Sequence, residues 1–249
     1  MESNELKGAV HSWELVTALD GPGTRLVIFL SGCPLRCLYC QNPDTRFKKW
    51  GTQVSVAELS EKMKRYAPML KATGGGVTIT GGEPMMQPEF LNALIDEAKK
   101  YDLHVALDTS GYLGSLFTDG DIDKIDLFLL DIKSGIESVY KKTVGRPLKP
   151  TLVFAERLSK MNKKVWVRFV LVPDLTDDFD NVEKVAEYAK SMGECVERVE
   201  ILPFHQLGRE KWENLHLVYQ LEDTKPPTKD LIERVKNQFL SYNLPVLVA

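Results

Sequence analysis

Six short runs of almost unbroken apolar character recur along this chain, and stretches with the period of an amphipathic helix lie between them. The runs are residues 25–30 (RLVIFL), 77–80 (VTIT), 104–108 (HVALD), 127–131 (LFLLD), 165–170 (VWVRFV) and 199–202 (VEIL). Strands apolar on both faces belong to a parallel sheet covered by helices, whereas a sheet with one wet face alternates. Helical period is read at 55–66, where Ser55 and Glu58 make a capping box, and at 88–101, which opens on Pro88 at a favoured first-turn position. Further helices are expected at 136–142, 151–161, 178–192 and 229–242. The stretch 205–228, weakly periodic and carrying Pro226 and Pro227, reads as a long surface connection. Six β/α units fall short of the eight of a closed barrel. The expected fold class is therefore α/β, a partial (β/α)6 TIM-like barrel with parallel strands; the pattern also permits a doubly wound sheet. No repeat or linker divides the chain, so residues 1–249 are expected to form a single domain.

Charge and hydropathy exclude some partners. A net charge of -3, from 32 basic and 35 acidic residues, offers no broad positive field, so no nucleic-acid partner is expected. No apolar stretch approaches the roughly 18 residues that span a bilayer. The opening MESNELKGAVHSWELV lacks the basic start and apolar run of a secretory signal. A cytoplasmic monomer without a membrane partner is the expectation.

Both sheet architectures gather chemistry at the carboxyl ends of their strands. Here the first run leads to Cys33, Cys37 and Cys40, the second to Gly81, Gly82 and Glu83, and the third to Asp108, Thr109 and Ser110. The fourth ends at Asp131 with Lys133 beyond, the fifth contains Arg168, and the sixth leads to His205. A single strand-end acid is an ordinary loop starter. Usable chemistry at all six marks this edge as the active site.

The sharpest signal is SGCPLRCLYCQN, a C-x3-C-x2-C motif, with Cys195 standing apart. This is no secreted disulfide framework. Three thiolates on one loop can hold three irons of a cubane cluster and leave the fourth without a protein ligand. Structural zinc wants four ligands, commonly from two C-x2-C knuckles, and there is no second pair. A thioredoxin-type Cys37–Cys40 pair leaves Cys33 unexplained.

The other residues are less specific. Gly81 and Gly82 suit a tight turn as well as a close-lying ligand, and no G-K-[ST] or G-x-G-x-x-G nucleotide loop is present. Lys133 by itself is an exposed loop lysine, and Asp108 with Thr109 would cap a helix. Arg168, inside an apolar run, needs an anionic partner. His104 packs at a strand start, while His11 and His216 have no convincing partner in the sequence. Asp20, Gly21, Pro22 and Gly23 form a turn by composition. Met85 and Met86 read as apolar filler.

With Tyr39 ahead of its last cysteine, the motif resembles the signature of the radical S-adenosylmethionine (SAM) superfamily. The segments HSWELVTALDGPGTR, FLSGCPLRCLYCQNPDT, GGGVTITGGEPMMQPEF, ALDTSGY, LLDIK, VWVRFVLVP, ILPFHQLGREKW and KPP occur in order between residues 11 and 227. They resemble the glycyl-radical activating family, and within it the pyruvate formate-lyase activating enzymes. The resemblance implies a catalytic [4Fe-4S] cluster on Cys33, Cys37 and Cys40. Its open iron would chelate SAM, and an electron would release a 5'-deoxyadenosyl radical that takes a hydrogen atom from a glycine. It further implies SAM contacts from Tyr39, Gly81, Gly82, Glu83, Asp131, Lys133, Arg168 and His205. A monovalent cation (Na+ or K+) would sit on Asp108, Thr109, Asp131 and the carbonyl of Leu129. The loop Asp20, Gly21, Pro22, Gly23 would receive the protein substrate, pyruvate formate-lyase. The electron donor would be flavodoxin or ferredoxin.

Two departures stand out: Arg46 follows Asp44-Thr45 where the family commonly has Trp, and Cys195 matches no family ligand. Activases of other glycyl-radical enzymes usually carry a cysteine-rich insert, which is absent here, and the activase of anaerobic ribonucleotide reductase is much shorter. An activase for another glycyl-radical enzyme is the alternative within the class. A zinc-stabilised binding module without catalysis is the alternative outside it.

Overall fold

Each of the six apolar runs forms a strand in a computed structural model, which describes residues 5–17 and 20–249. The first four residues of the amino-terminal segment, and Ala18 and Leu19 of the segment that leads into the DGPG turn, lie outside the described residues. The described elements are β1 (Lys7–Thr17), β2 (Thr24–Leu30), β3 (Thr52–Ser55), α1 (Val56–Ala72), β4 (Gly76–Gly81), α2 (Pro88–Lys100), β5 (His104–Thr109), α3 (Asp119–Asp123), β6 (Leu127–Asp131), α4 (Glu137–Val144), α5 (Lys149–Lys160), β7 (Val165–Leu171), α6 (Phe179–Ser191), β8 (Val196–Pro203), α7 (Arg209–Asn214), α8 (Lys229–Ser241) and β9 (Val246–Val248). The strands follow the order β3-β1-β2-β4-β5-β6-β7-β8-β9. Two compact units interleave along the chain. The first comprises Met1–Pro34, Asp44–Thr109 and Leu113–Leu129, and the second Leu35–Pro43, Ser110–Tyr112 and Leu130–Ala249.

In the first unit, β2, β4 and β5 pair in parallel and β1 pairs antiparallel with both β2 and β3. The interior strands carry the expected burial: Leu26, Ile28, Leu30, Val77, Ile79, Val105 and Leu107 are fully shielded. Helices α1 and α2 cover them, and α1 is held at its start by the expected capping box, in which Ser55 Oγ accepts from Glu58 N and the Glu58 carboxylate accepts from Ser55 N. That helix continues through Pro68 to Ala72, beyond the expected end, because Leu70 on its last turn is buried and outweighs the proline's lost hydrogen bond.

The most unusual core residue of this unit is Arg25, fully buried at the start of β2. Its guanidinium donates to Thr78 Oγ1 (2.8 Å) and to the carbonyls of Pro22 and Val77, and its Nη1 lies 3.2 Å from His104 Nδ1. Thr78 in turn donates to the carbonyl of Asp20 (2.6 Å). The turn at residues 20–23 is thus tied by two of its carbonyls to buried side chains of the sheet. Burial pushes Arg25 down to about 10, against the opposing pull of Asp126 and Asp20. Burial also lowers the His104 pKa, and the neighbouring Arg25 charge adds to that, with Asp126 opposing.

A histidine depressed in the native state stabilises the fold above its unfolded pKa of about 6.5. As pH falls below that value the unfolded chain takes up a proton that native His104 refuses, so stability declines until the native imidazole titrates. Urea unfolding between pH 7.5 and 5 is expected to show this decline in the parent protein, and a flatter profile in His104→Gln. Parallel profiles would show that His104 is not held neutral.

The second unit contains β7, β8 and β9, which pair in parallel. Helix α6 packs on α8 and β8, and Phe169 of β7 meets Phe239 of α8 edge-on with centroids 5.9 Å apart. The segment 205–228 is more than a surface connection. It contains α7, and its Trp212 and Leu221 are buried. Gln206 Nε2 lies within hydrogen-bond distance of the carbonyls of Leu221, Glu222 and Thr224 (2.7 to 3.0 Å), which folds the segment back on itself. No helix among the described residues is long and apolar enough to cross a membrane.

Candidate active site

In the first unit, Cys33 stands just past the carboxyl end of β2. Its amide donates to Arg46 O (3.0 Å), and the amide of Gly32 donates to Thr45 O (2.6 Å). The end of β4 lies directly alongside: Gly82 N donates to Leu30 O and Glu83 N to Gly32 O, both at 2.8 Å. This approach explains the two glycines. A Cβ on Gly81, whose φ is +113°, would lie 2.3 Å from Leu30 O, and one on Gly82 would lie 2.3 Å from Gly32 O. The fold itself therefore demands glycine at both positions.

Glu83 is buried, accepts from Thr109 Oγ1 (2.7 Å) and caps the short turn Pro84–Met86 by accepting from Met85 N. Thr80 Oγ1 donates to Asp108 Oδ2 at 2.7 Å. Asp108 and Thr109 thus bond sideways to β4 residues and the GGE turn. The alternative of helix capping is not realised, since Thr118 caps α3. Leu129, within β6, is fully buried. Residues 20–23 sit elsewhere: they precede β2, whereas Cys33 follows it. Seven residues of strand separate the two by about 20 Å at ~3.3 Å per residue.

In the second unit, the loop carrying Cys37 and Cys40 is fixed by its backbone. Arg36 N donates to Val144 O and Leu38 N to Thr143 O at the end of α4, while Cys40 N reaches Cys37 O. Trp212 Nε1 donates to Cys40 O (2.9 Å) and Gln41 Nε2 to His205 O (3.1 Å). Sequence reasoning passed over Trp212 and Gln41. Their only signal was membership of the quoted segments ILPFHQLGREKW and CLYCQN.

Tyr39 is buried with Val172, Leu175, Phe204 and Leu221, and its hydroxyl has no hydrogen-bond partner among the described residues. Burial raises its pKa, with the Lys133 ammonium opposing. Lys133 is no exposed loop lysine. Its side chain is 12 % exposed, its Nζ lies 2.6 Å from Asp131 Oδ2 and 5.7 Å from the centre of the Tyr39 ring. Burial alone would lower its pKa, but Asp131, Tyr39 and Cys37 more than reverse this and hold the amine charged. Arg168 finds the anion its position requires on the adjacent strand. Its Nε donates to Glu200 Oε2 (2.9 Å), both side chains are buried, and Arg198 donates to the other oxygen. His205 is exposed, and its Nδ1 accepts from Leu207 N.

Three further residues resolve differently from one another. His11, without an evident partner in the sequence, lies 2.9 Å from Asp44 Oδ2. Cys195 is buried and donates to Met192 O (3.3 Å), and burial raises its pKa, as suits an inert thiol. Met85 is fully buried, in line with apolar filling.

Comparison with known proteins places this geometry in a family. The model of the Radical SAM superfamily matches residues 27–193. The chain is 39% identical over 244 residues to the pyruvate formate-lyase 1-activating enzyme of Escherichia coli K12, covering 96% of this chain and 98% of the relative. It is 42% identical over 235 residues to the pyruvate formate-lyase-activating enzyme of Staphylococcus aureus USA300, covering 92% and 93%. The chain belongs to the pyruvate formate-lyase-activating enzyme family of radical SAM proteins. Solved structures of lower identity show the fold. Streptococcus suis SuiB bound to precursor peptide SuiA matches with a TM-score of 0.67 at 15% identity, covering 93% of this chain and 49% of that one. A domain of the pyruvate-formate lyase-activating enzyme from Bacteroides vulgatus matches with a TM-score of 0.58 at 23% identity, covering 71% and 99%. The fold class is the expected one, the mostly parallel α/β arrangement of radical SAM proteins with its partial (β/α)6 pattern.

A radical SAM family member implies an iron-sulfur cluster and SAM. The donor set suits the cluster. The three motif cysteines are half-buried and none is in a disulfide. Among the described residues, no three His, Cys, Asp or Glu side chains converge as a single metal ion would require.

Proposed function

We propose that this chain activates pyruvate formate-lyase by installing a glycyl radical on it. The observation that carries this reading is the similarity to enzymes named for that role over more than nine-tenths of the chain, with the cysteine motif inside the matched family region. When bound, the [4Fe-4S] cluster supplies the electron that cleaves SAM to a 5'-deoxyadenosyl radical, which takes a hydrogen atom from the lyase glycine.

The chain's own residues do the rest. Cys33, Cys37 and Cys40 hold the cluster on a loop fixed by backbone bonds at both ends. Gly81, Gly82 and Glu83 receive the amino group of SAM along a glycine turn with no side chain in the way. Lys133, kept charged by Asp131, and Arg168, paired with Glu200, receive its carboxylate. Tyr39 and His205 take the adenosyl part, Tyr39 as an apolar wall that keeps water from a reactive species. Asp108, Thr109, Asp131 and the carbonyl of Leu129 supply hard oxygen atoms suited to a monovalent cation such as Na+ or K+. Residues 20–23, a strand length from Cys33, serve as a remote contact for the lyase, a substrate large enough to touch both ends of β2. Catalysis rests on positioning rather than acid-base work. We also read residues 1–249 as one radical SAM domain acting as a monomer in the cytoplasm, where thiols stay reduced, with flavodoxin or ferredoxin as electron source.

The test is to mix the anaerobically reduced protein and SAM with pyruvate formate-lyase, and in parallel with other glycyl-radical enzymes, and record electron paramagnetic resonance (EPR) spectra. A glycyl signal on pyruvate formate-lyase alone is expected. A signal on another lyase alone would reassign the substrate, and no signal on any would remove the function.

A further inference from the structure

Four consecutive residues that begin seven positions after Cys40, Phe47, Lys48, Lys49 and Trp50, are all exposed. The two aromatics each leave 40% of their surface in water, yet they touch one another, edge to face with centroids 4.6 Å apart. The turn is closed by Trp50 N on Phe47 O (3.0 Å) and Gly51 N on Lys48 O (3.1 Å), and Lys49 Nζ lies 5.9 Å from the Phe47 ring centre. Two ordered aromatics bracketing two lysines make a small surface with rigid apolar anchors and a cationic rim, the composition that recognises an acidic protein face.

Charge around the patch is one-sided. Lys48 and Lys49 are exposed in a stretch with no acidic residue between Asp44 and Glu58, in a chain whose net charge is -3, whereas Arg46 beside them is buried. Such a local excess steers an anionic partner to this spot. The spot is also next to the cluster loop: Cys33 N donates to Arg46 O, and the Lys48 stem packs on Gly32, where a Cβ would lie 2.7 Å from Lys48 Cγ. Residues 20–23, assigned above to the lyase, lie at the other end of β2.

We propose that Phe47, Lys48, Lys49 and Trp50 dock the electron donor, a small reduced carrier protein with an acidic face. The inference rests on the function proposed above, because reductive cleavage of SAM consumes one electron per turnover that the chain does not itself supply. On docking, the carrier is oxidised by one electron and the cluster is reduced by one; no bond is made or broken.

The test uses the holoprotein and its Lys48→Glu/Lys49→Glu double variant, with Lys48→Arg/Lys49→Arg as the charge-conserving control. Reduced flavodoxin is the probe carrier and a small-molecule photoreductant is the reference. Cluster reduction is followed by the EPR signal of the reduced cluster, and carrier binding by isothermal titration calorimetry. In the charge-reversed variant, carrier-driven reduction at low salt is expected to fall roughly tenfold or more, with weakened binding and a flattened salt dependence. The arginine variant keeps the parent rate. With the photoreductant, cluster reduction and glycyl-radical yield stay at parent levels in all three proteins. An unchanged carrier-driven rate in the charge-reversed variant overturns the proposal. So does a fall in photoreductant-driven radical yield, which would give the patch to the lyase. Absence of a glycyl radical even in the parent protein with photoreductant would refute the proposed function and leave the carrier comparison readable.

Discussion

Cys37→Ala is expected to yield a folded but colourless protein that forms no glycyl radical. Outer-shell partners of a metal site already cost 10–100-fold when removed, so loss of a ligand should lower radical formation by more than roughly 100-fold. The fold should tolerate the change, because the loop is held by main-chain bonds from Arg36 and Leu38 to the end of α4 and by Trp212 on Cys40 O, none of which uses the thiol. Iron content, visible absorbance and the glycyl EPR signal report the loss, while far-UV circular dichroism and the melting temperature stay near parent values. Cys195→Ala, at a buried thiol bonded to Met192 O, should keep colour and activity. A Cys37→Ala protein that stayed brown and active would remove the motif from the chemistry.

Glu200→Gln carries the largest expected stability effect. Glu200 is the shared counter-ion of Arg168 and Arg198, and both it and Arg168 are buried. Breaking a buried ion pair by removing one member costs about 3–5 kcal/mol. Against a total stability of ~5–15 kcal/mol, that should lower the urea midpoint sharply. Replacing both partners with apolar residues of similar size, Arg168→Met with Glu200→Leu, should recover much of the loss. If Arg168 also receives the SAM carboxylate, the double variant regains stability without regaining radical formation. A double variant restored in both would confine Arg168 to a structural role.

The parallel core of the sheet was legible because its strands are apolar on both faces, so β2, β4, β5, β6, β7 and β8 follow from runs such as RLVIFL and LFLLD. The strands flanking that core were not. β1 loses its apolar pattern after Val10, where its register slips by a bulge, and leaves Trp13 and Leu15 exposed. β3 and β9 are only four and three residues long, too short for periodicity to register. Helix α7 was missed for a different reason: only Trp212 of its six residues is buried, so it has no apolar stripe.

The site was legible in its residue types more than in its bonds. The cysteine spacing and the acids at strand ends pointed to one edge of the sheet. Partners that depend on neighbouring strands were invisible in one dimension: Glu200 for Arg168, Glu83 for Thr109, Thr80 for Asp108 and Asp44 for His11. Gly81 and Gly82 carry a warning in the other direction. A glycine pair that looked like a ligand cradle is already required by the approach of β4 to β2, so it marks the backbone geometry before it marks any bound molecule.

The most direct test of the central claim is the EPR spectrum of the reduced holoprotein before and after addition of SAM labelled with nitrogen-15 at its amino group. If Cys33, Cys37 and Cys40 hold the cluster as proposed, its remaining iron would be open to the amino nitrogen of SAM, so the spectrum should change and show hyperfine coupling to the label. A spectrum indifferent to SAM, or a bound metal other than iron, would contradict the account.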